Sequence, residues 1–382
     1  MNYLSATSIH NGHRFLSDDT VIAVNEKGQI LDLLTQKEVD PTQVKHYEGI
    51  LCPGFINAHC HLELSHLLHK IPEHTGLVNF ALGIMKTRND FTTDDIKGFA
   101  HEADKTMAEN GIVAVGDICN TDHTLAVKQQ SAIYYHSFIE LISLNPARAG
   151  QVMEDGRKLK ASFEAHKLAA TLVPHAPYSV SYDLMQQIAG EGKMTSIHNQ
   201  ECKAESDFFM NKTGDFLKLY ETIGLTLDFF EPTHKSSLQS YLPFLSKAEH
   251  VLLVHNTLTN HDDIRFAEES KQTLYWCLCP NANLYIEKNL PDIQSLYESK
   301  IPICLGTDSL ASNHGLSIVS EINTISHHYP KMPLESIIGW ATHNGALALG
   351  IGDRFGTLEK GKNPGINLLM KHDAGYSVQK VF

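Results

Sequence analysis

Eight short apolar runs recur along this chain with helix-like stretches between them, and that alternation limits its possible folds more than any other feature. The runs are "GFINAHCH" (54–61), "GIVAVGDI" (111–118), "AIYYHSFIEL" (132–141), "LAATLVPHA" (168–176), "KMTSIHNQ" (193–200), "HVLLVHN" (250–256), "QTLYWCLCP" (272–280) and "KIPICLGTD" (300–308). Runs that are apolar nearly throughout suit strands buried on both faces, as in parallel sheets. Between them, "TTDDIKGFAHEADKTMAENG" opens on Thr and Asp as caps and closes at Gly111, and "SYDLMQQIAGEG" runs from Ser to Gly. "PLESIIGWATHNGALALG" continues the pattern after the last run. Eight strands separated by helices predict an α/β chain folded as a distorted (β/α)8 TIM barrel. An open doubly wound sheet is the rival, but no G-x-G-x-x-G follows the first run.

The two ends read differently. Residues 1–52, with "DTVIAVNEKGQILDLL", and the tail 353–382, with "GKNPGINLLMKHDAGYSVQKVF", look like short strands joined by Gly-containing turns. Neither piece is large enough to fold alone. They are expected to meet as one small β-sandwich domain beside the barrel of residues 53–352.

Composition narrows the function. A net charge of -13 without any Lys/Arg block leaves nothing to displace counterions from a nucleic acid or to hold an anionic membrane surface. No stretch is long and apolar enough to cross a bilayer, and "MNYLSATSIHNGHRF" has no features of a secretory signal. The seven Cys are scattered through apolar runs and read as reduced, buried thiols of a cytoplasmic protein.

Active sites of such barrels collect at the C-terminal ends of the strands. Those ends carry, in order, His59 and His61, Asp117, Glu140, His175, His198, His255 and Asp308. With 23 His in the chain, one H-x-H pair says little alone. Histidine at the same end of the first, fourth, fifth and sixth strands says more. His59, His61, His198 and Asp308 would make an N3O set for one divalent metal ion that lowers the pKa of a bound water. Zinc suits these ligands, and Fe2+ or Mn2+ would accept them. His255 would complete that set or hydrogen-bond the water, and the second role is preferred here. Glu201 follows His198 by three residues, placed either as an acid at a helix N-terminus or as a proton shuttle between water and substrate; beside this His set it reads as the shuttle. The fourth run ends "LVPHAPYSVS" with no Lys to bridge two metals, so a single ion is expected.

These residues together resemble the amidohydrolase superfamily, in its mononuclear cytosine-deaminase and chlorohydrolase-like branch. The matching pieces are "PGFINAHCH", "HAPYSVS", "HNQE", "VHNTLT", "PNANL" and "LGTDSLASN", with "ATHNGALALGIGDRFGTLEKGK" closing the barrel. The resemblance spans nearly the whole chain. It implies His59, His61, His198 and Asp308 as metal ligands, Glu201 as shuttle, His255 at the attacking water, a second proton-accepting role for Asp308, and a homodimer. It also implies hydrolytic removal of an exocyclic amine from a small N-heterocyclic substrate. Hydrolysis of a cyclic amide or a carbon–halogen bond, or metal binding without catalysis, stays open beside it.

The form "HCHLELS", with Glu63 and Ser65, and "GTDSLASN" look like the aminodeoxyfutalosine deaminases, which act on an adenine nucleoside bearing a carboxyphenyl group. That resemblance makes 6-amino-6-deoxyfutalosine a candidate substrate. Glu63 and Ser65 would then touch substrate or else cap the helix after the first strand. His175 and Tyr178 are placed to meet a sugar or carboxylate, Asn283 and Ser309 to orient the ring, and Asp117 and Glu140 to support the ligands. Asn281 in "PNANL" and the polar filling of "HNQE" depart from the family pattern and are expected to face the substrate. The tail lacks the acidic pair common in relatives.

Overall fold

A computed structural model describes the backbone of residues 1–382 and every side chain except that of Asn89. The first strands, β1 (Asn2–Ile9), β2 (Thr20–Val24), β3 (Ile30–Thr35) and β4 (Val44–Pro53), lead directly into the eight barrel strands. These are β5 (Phe55–Cys60), β6 (Ile112–Cys119), β7 (Tyr134–Leu141), β8 (Ala169–Pro174), β9 (Met194–Asn199), β10 (His250–His255), β11 (Thr273–Leu278) and β12 (Ile303–Leu305). The chain ends with β13 (Ile366–His372) and β14 (Gly375–Lys380). Each barrel strand falls on one of the eight apolar runs, β6 passing the end of its run by one residue, and neighbours within each half pair in parallel.

The barrel is built as two four-stranded halves, β5-β6-β7-β8 and β12-β11-β10-β9. Two short seams join them. At one, the Thr307 and Asp308 N–H groups donate to the His59 carbonyl (3.0 and 3.1 Å), and Cys60 bridges to Asp308. At the other, the His198 N–H donates to the His175 carbonyl at 3.0 Å. Gly306 is needed at the first seam, because a Cβ there would lie 2.8 Å from the His59 Cβ.

The helix Thr93–Glu109 starts where the sequence places it, with Thr92 and Asp95 bonded reciprocally in a capping box. Gly111 then turns the chain into β6 at φ +75°, a left-handed value that favours glycine. Its carbonyl accepts from Asn367 Nδ2 at 2.8 Å, which ties the barrel to the flanking sheet. That sheet has six strands in the order β14-β13-β4-β1-β2-β3, so both chain ends meet in it as expected. No helix among the described residues is long and apolar enough to cross a membrane.

One buried ion pair braces the start of the barrel. Lys128 Nζ lies 2.6 Å from Asp117 Oδ2, both side chains fully buried, and also donates to Ser137 Oγ at 3.0 Å. Asp117 Oδ1 accepts the Leu62 N–H at 2.7 Å, one residue past His61. Lys128→Met would strand the Asp117 carboxylate in the interior and is expected to cost about 3–5 kcal/mol in urea unfolding. Adding Asp117→Asn should restore part of that, since the unpaired charge goes while Leu62 keeps an acceptor.

Candidate active site

His59 is the penultimate residue of β5 and His61 lies just past its end, two residues on, so their rings share the inner face of the barrel mouth. Their Nε2 atoms are 3.2 Å apart, and His198 Nε2, from β9, lies 3.3 Å from that of His61. Asp308 Oδ1 is 3.2 Å from His61 Nε2 and 3.6 Å from His59 Nε2. One ligand atom from each of the four lies within 4.8 Å of every other. All four residues are buried.

The chemistry of this donor set fits a cation. His198 Nδ1 pairs with the His175 carbonyl at 2.7 Å, which places its proton there and leaves Nε2 as a lone pair facing the cluster. Burial pulls the His61 pKa down to about 3 and that of His198 well below its ordinary value, which favours neutral rings. Burial resists ionisation of Asp308, but His59, His61 and His255 outweigh it and hold the carboxyl well below the usual range. Ser312 Oγ donates to its other oxygen at 2.5 Å. The result is three imidazole Nε2 atoms and a carboxylate converging with no protein cation between them among the described residues.

Glu201 stands on a bend just past β9. Gln200 takes φ +46°, and His255, Asn256 and Asp308 are also left-handed, at +73°, +60° and +57°. Non-glycine residues in that region cost roughly 1–3 kcal/mol each and need surroundings that over-determine them. Here the Glu205 carboxyl accepts the Gln200 and Glu201 N–H groups (3.0 and 3.3 Å) and the Ser237 hydroxyl. The Gln200 side chain is held by Asp263 and Thr259, both at 2.7 Å. The Glu201 carboxyl approaches His255 Nε2 to 3.6 Å. Burial first, then Asp308, Glu205 and Glu287, push its pKa well above the ordinary value, which favours a carboxyl that can carry a proton. His255 is turned by Asn283, whose Oδ1 lies 3.3 Å from its Nδ1.

A cavity of about 650 Å³ opens onto these groups. His61, His198, Glu201, His255, Asp308 and Ser309 form its floor, with His175, Tyr178 and Glu140 on one side. Its outer wall is mainly apolar, from Leu77, Phe80 and Ile84 on one helix to Phe216, Leu219 and Tyr220 on another, and Arg88 and Arg148 also line it.

The structure does not bring every expected residue to the cavity. Glu63, Ser65 and Asn283 lie behind the cavity wall. Glu63 accepts the Asn120 and Thr121 N–H groups (3.0 and 3.2 Å), Ser65 Oγ donates to the Leu62 carbonyl at 2.7 Å, and Asn283 serves His255 and Thr257. Asn281 bonds Ser320 and Thr324 and Gln200 bonds Asp263 and Thr259, so neither departure from the family pattern faces the cavity. Sequence reasoning missed Lys128, Glu205, Ser312, Arg88 and Arg148. Only Ser312 had a signal, in "SLASN" beside Asp308.

A parallel eight-stranded barrel with such a cluster at the C-terminal ends of its strands is the framework of a hydrolase. The chain belongs to the amidohydrolase family, whose profile matches residues 50–382. An adenosine deaminase of Helicobacter pylori is 27% identical over 335 residues, 84% of this chain and 78% of that one. An aminodeoxyfutalosine deaminase of Nitratiruptor sp. is 25% identical over 368 residues, 92% and 87% of the two chains. The crystal structure of Helicobacter pylori aminofutalosine deaminase in complex with methylthio-coformycin superposes with a TM-score of 0.79 at 20% identity, over 98% of this chain and 93% of that one.

Metal analysis of the purified chain should find about one divalent ion per molecule, most of it lost in His198→Ala and in Asp308→Ala. Chelation should lower the Tm of the wild type, since an ion that binds only the folded chain stabilises it, and should leave the Tm of these variants unmoved.

Proposed function

We propose that this chain is a metal-dependent hydrolytic deaminase that removes the exocyclic amine of an adenine nucleoside, with Glu201 moving the protons. The observation that carries this reading is the placement of the Glu201 carboxyl: buried, 3.6 Å from His255, and on the floor of the same cavity as His61, His198 and Asp308. Its relatives include deaminases of adenosine and of aminodeoxyfutalosine, which supports the same chemistry.

His59, His61, His198 and Asp308 would hold the ion. Zinc suits this set, with Fe2+ or Mn2+ as other ions it accepts, and such an ion supplies the Lewis acidity that brings the pKa of a water toward neutrality. His255, its Nδ1 fixed by Asn283, presents Nε2 to orient that water. Glu201 accepts one proton of the water as its oxygen adds to C6 of the ring, and passes that proton to N1. Asp308 accepts the second and returns it to the exocyclic nitrogen, which leaves as ammonia while C6 keeps the oxygen. All of these groups are buried, and His61, His198, Glu201, His255 and Asp308 meet solvent only through the cavity they line.

The cavity also bears on the substrate. Its apolar outer wall has room for a substituent on the nucleoside's 5′ side, and Arg88 and Arg148 could meet an acidic group there. 6-Amino-6-deoxyfutalosine has both features and leads the candidates. Ammonia release should be measured at matched metal loading from that nucleoside, adenosine, 5′-methylthioadenosine, adenine, cytosine and guanine. One adenine nucleoside should dominate, and Glu201→Gln should slow it by about 10²–10⁴-fold with the metal retained. Silence across the panel with metal bound would overturn the deaminase reading in favour of hydrolysis of cyclic amides.

A further inference from the structure

Buried polar atoms in a folded chain nearly always have a hydrogen-bond partner, so one without a partner on the wall of a cavity indicates what the cavity receives. Among the described residues, Glu140 Oε1 is such an atom: it has no partner, and Glu140 lines the cavity with its side chain 3% exposed. Its other oxygen, Oε2, accepts Asn120 Nδ2 at 2.9 Å. Asn120 in turn is anchored through its own N–H by Glu63 at 3.0 Å. The carboxyl is thus held from behind, with one oxygen left over.

Two ordinary uses for that oxygen fail on distance and occupancy. As a support for His198 it would have to accept the Nδ1 proton, but Nδ1 lies 3.8 Å away and already pairs with the His175 carbonyl at 2.7 Å. As part of a second metal site it would act with His175 and His198, which also come within 4.8 Å of it. His198 has no nitrogen to spare for that, since Nδ1 is committed to the carbonyl and Nε2 faces His61 at 3.3 Å. The donor then comes from the cavity, as a ligand hydroxyl or as a water that such a hydroxyl displaces. Beside it stands His175, from the end of the next strand, with Nδ1 held by Ser179 at 2.6 Å and Nε2 left for the cavity.

We propose that Glu140, with His175 next to it, is a specificity-determining site for the vicinal 2′,3′-diol of the substrate's ribose, with Glu140 Oε1 accepting a hydrogen bond from one hydroxyl. This rests on the nucleoside deaminase reading. It makes the enzyme select ribonucleosides over deoxyribonucleosides, and it gives the free base no hold on this side of the cavity. A carboxyl oxygen that loses its only donor is left desolvated and unpaired, and this makes a missing hydroxyl expensive.

The test compares kcat and KM for adenosine, 2′-deoxyadenosine and 3′-deoxyadenosine in the wild type, Glu140→Gln and Glu140→Ala. The wild type should lose about 10- to 100-fold in kcat/KM on at least one deoxynucleoside, mainly through KM. In Glu140→Ala the adenosine rate should fall while the gap between adenosine and that deoxynucleoside closes to within about threefold, as for a pair that acts through one contact. Equal rates on all three substrates in the wild type would overturn the inference, and that comparison needs no variant to fold. A gap that survives Glu140→Ala would overturn it as well. So would two metal ions per wild-type chain with one lost in Glu140→Ala, because Glu140 would then belong to a metal. Release of ammonia from all these nucleosides without regard to their hydroxyls removes this inference alone; release from none of them and from no other nucleoside of the panel, 6-amino-6-deoxyfutalosine included, removes the deaminase reading and this inference together.

Discussion

The structure depends on how the barrel closes. Its two four-stranded halves meet at only two seams, and the backbone groups that join them belong to residues of the site: Thr307 and Asp308 with His59 at one, His198 with His175 at the other. Main-chain hydrogen bonds therefore fix the spacing of the His59 and Asp308 backbones, from which their side chains reach the cluster. The same holds for His198 relative to His175. A cluster of lone pairs cannot hold itself together, since its members repel one another, so the fold has to impose it. This is also why Gly306 must stay without a side chain at the narrower seam.

Buried carboxyls do the secondary positioning. Glu63 secures the loop at Asn120 and Thr121, Glu205 secures the bend at Gln200 and Glu201, and Glu321 accepts the Asn281 N–H and the Asn313 amide at 2.9 and 3.0 Å. Burial raises the pKa of Glu63 and Glu205 to about 7 and of Glu321 to about 8, while the donors they hold pull each back toward ionisation. Each of these three is spent on the chain itself. Glu140, also raised to about 7 by burial, is the exception because only half of it is spent.

Much of this was legible in the sequence, for a definite reason. Parallel barrel strands are covered on both faces, so each appears as an apolar run, and the polar residue that ends it faces the mouth. That rule alone located His59, His198, His255 and Asp308. It also gave the strands nearly the right lengths, except β12, where Ile303–Leu305 is much shorter than the run that contains it. It could not distinguish a polar residue in the cavity wall from one behind it, and neither could the resemblance that offered Glu63 and Ser65 as substrate contacts or helix caps. A one-residue turn of the chain decides that, and no pattern in the letters reports it.

The parts that stayed hidden share a different cause. Lys128 lies in "LAVKQQ", which reads as an exposed helical turn, and only the need of a buried Asp117 for a counter-charge explains why it is inside. Residues 203–245 hold the helices Lys203–Asn211, Phe216–Thr222 and Ser237–Tyr241, which lie between β9 and β10 and help cover the cavity. They pack through aromatic rings, with Phe208 stacked on Phe230 and Tyr178 on Phe216, each pair at 4.1 Å between centroids. Short helices fixed by ring contacts have no long amphipathic repeat for a sequence reading to find. The cover is therefore the least predictable segment of the chain, and it is also where the outer cavity takes its shape. That segment shapes the outer cavity wall through Phe216, Leu219 and Tyr220, whereas His59, His61, His198 and Asp308 are brought together by strands whose pattern is plain.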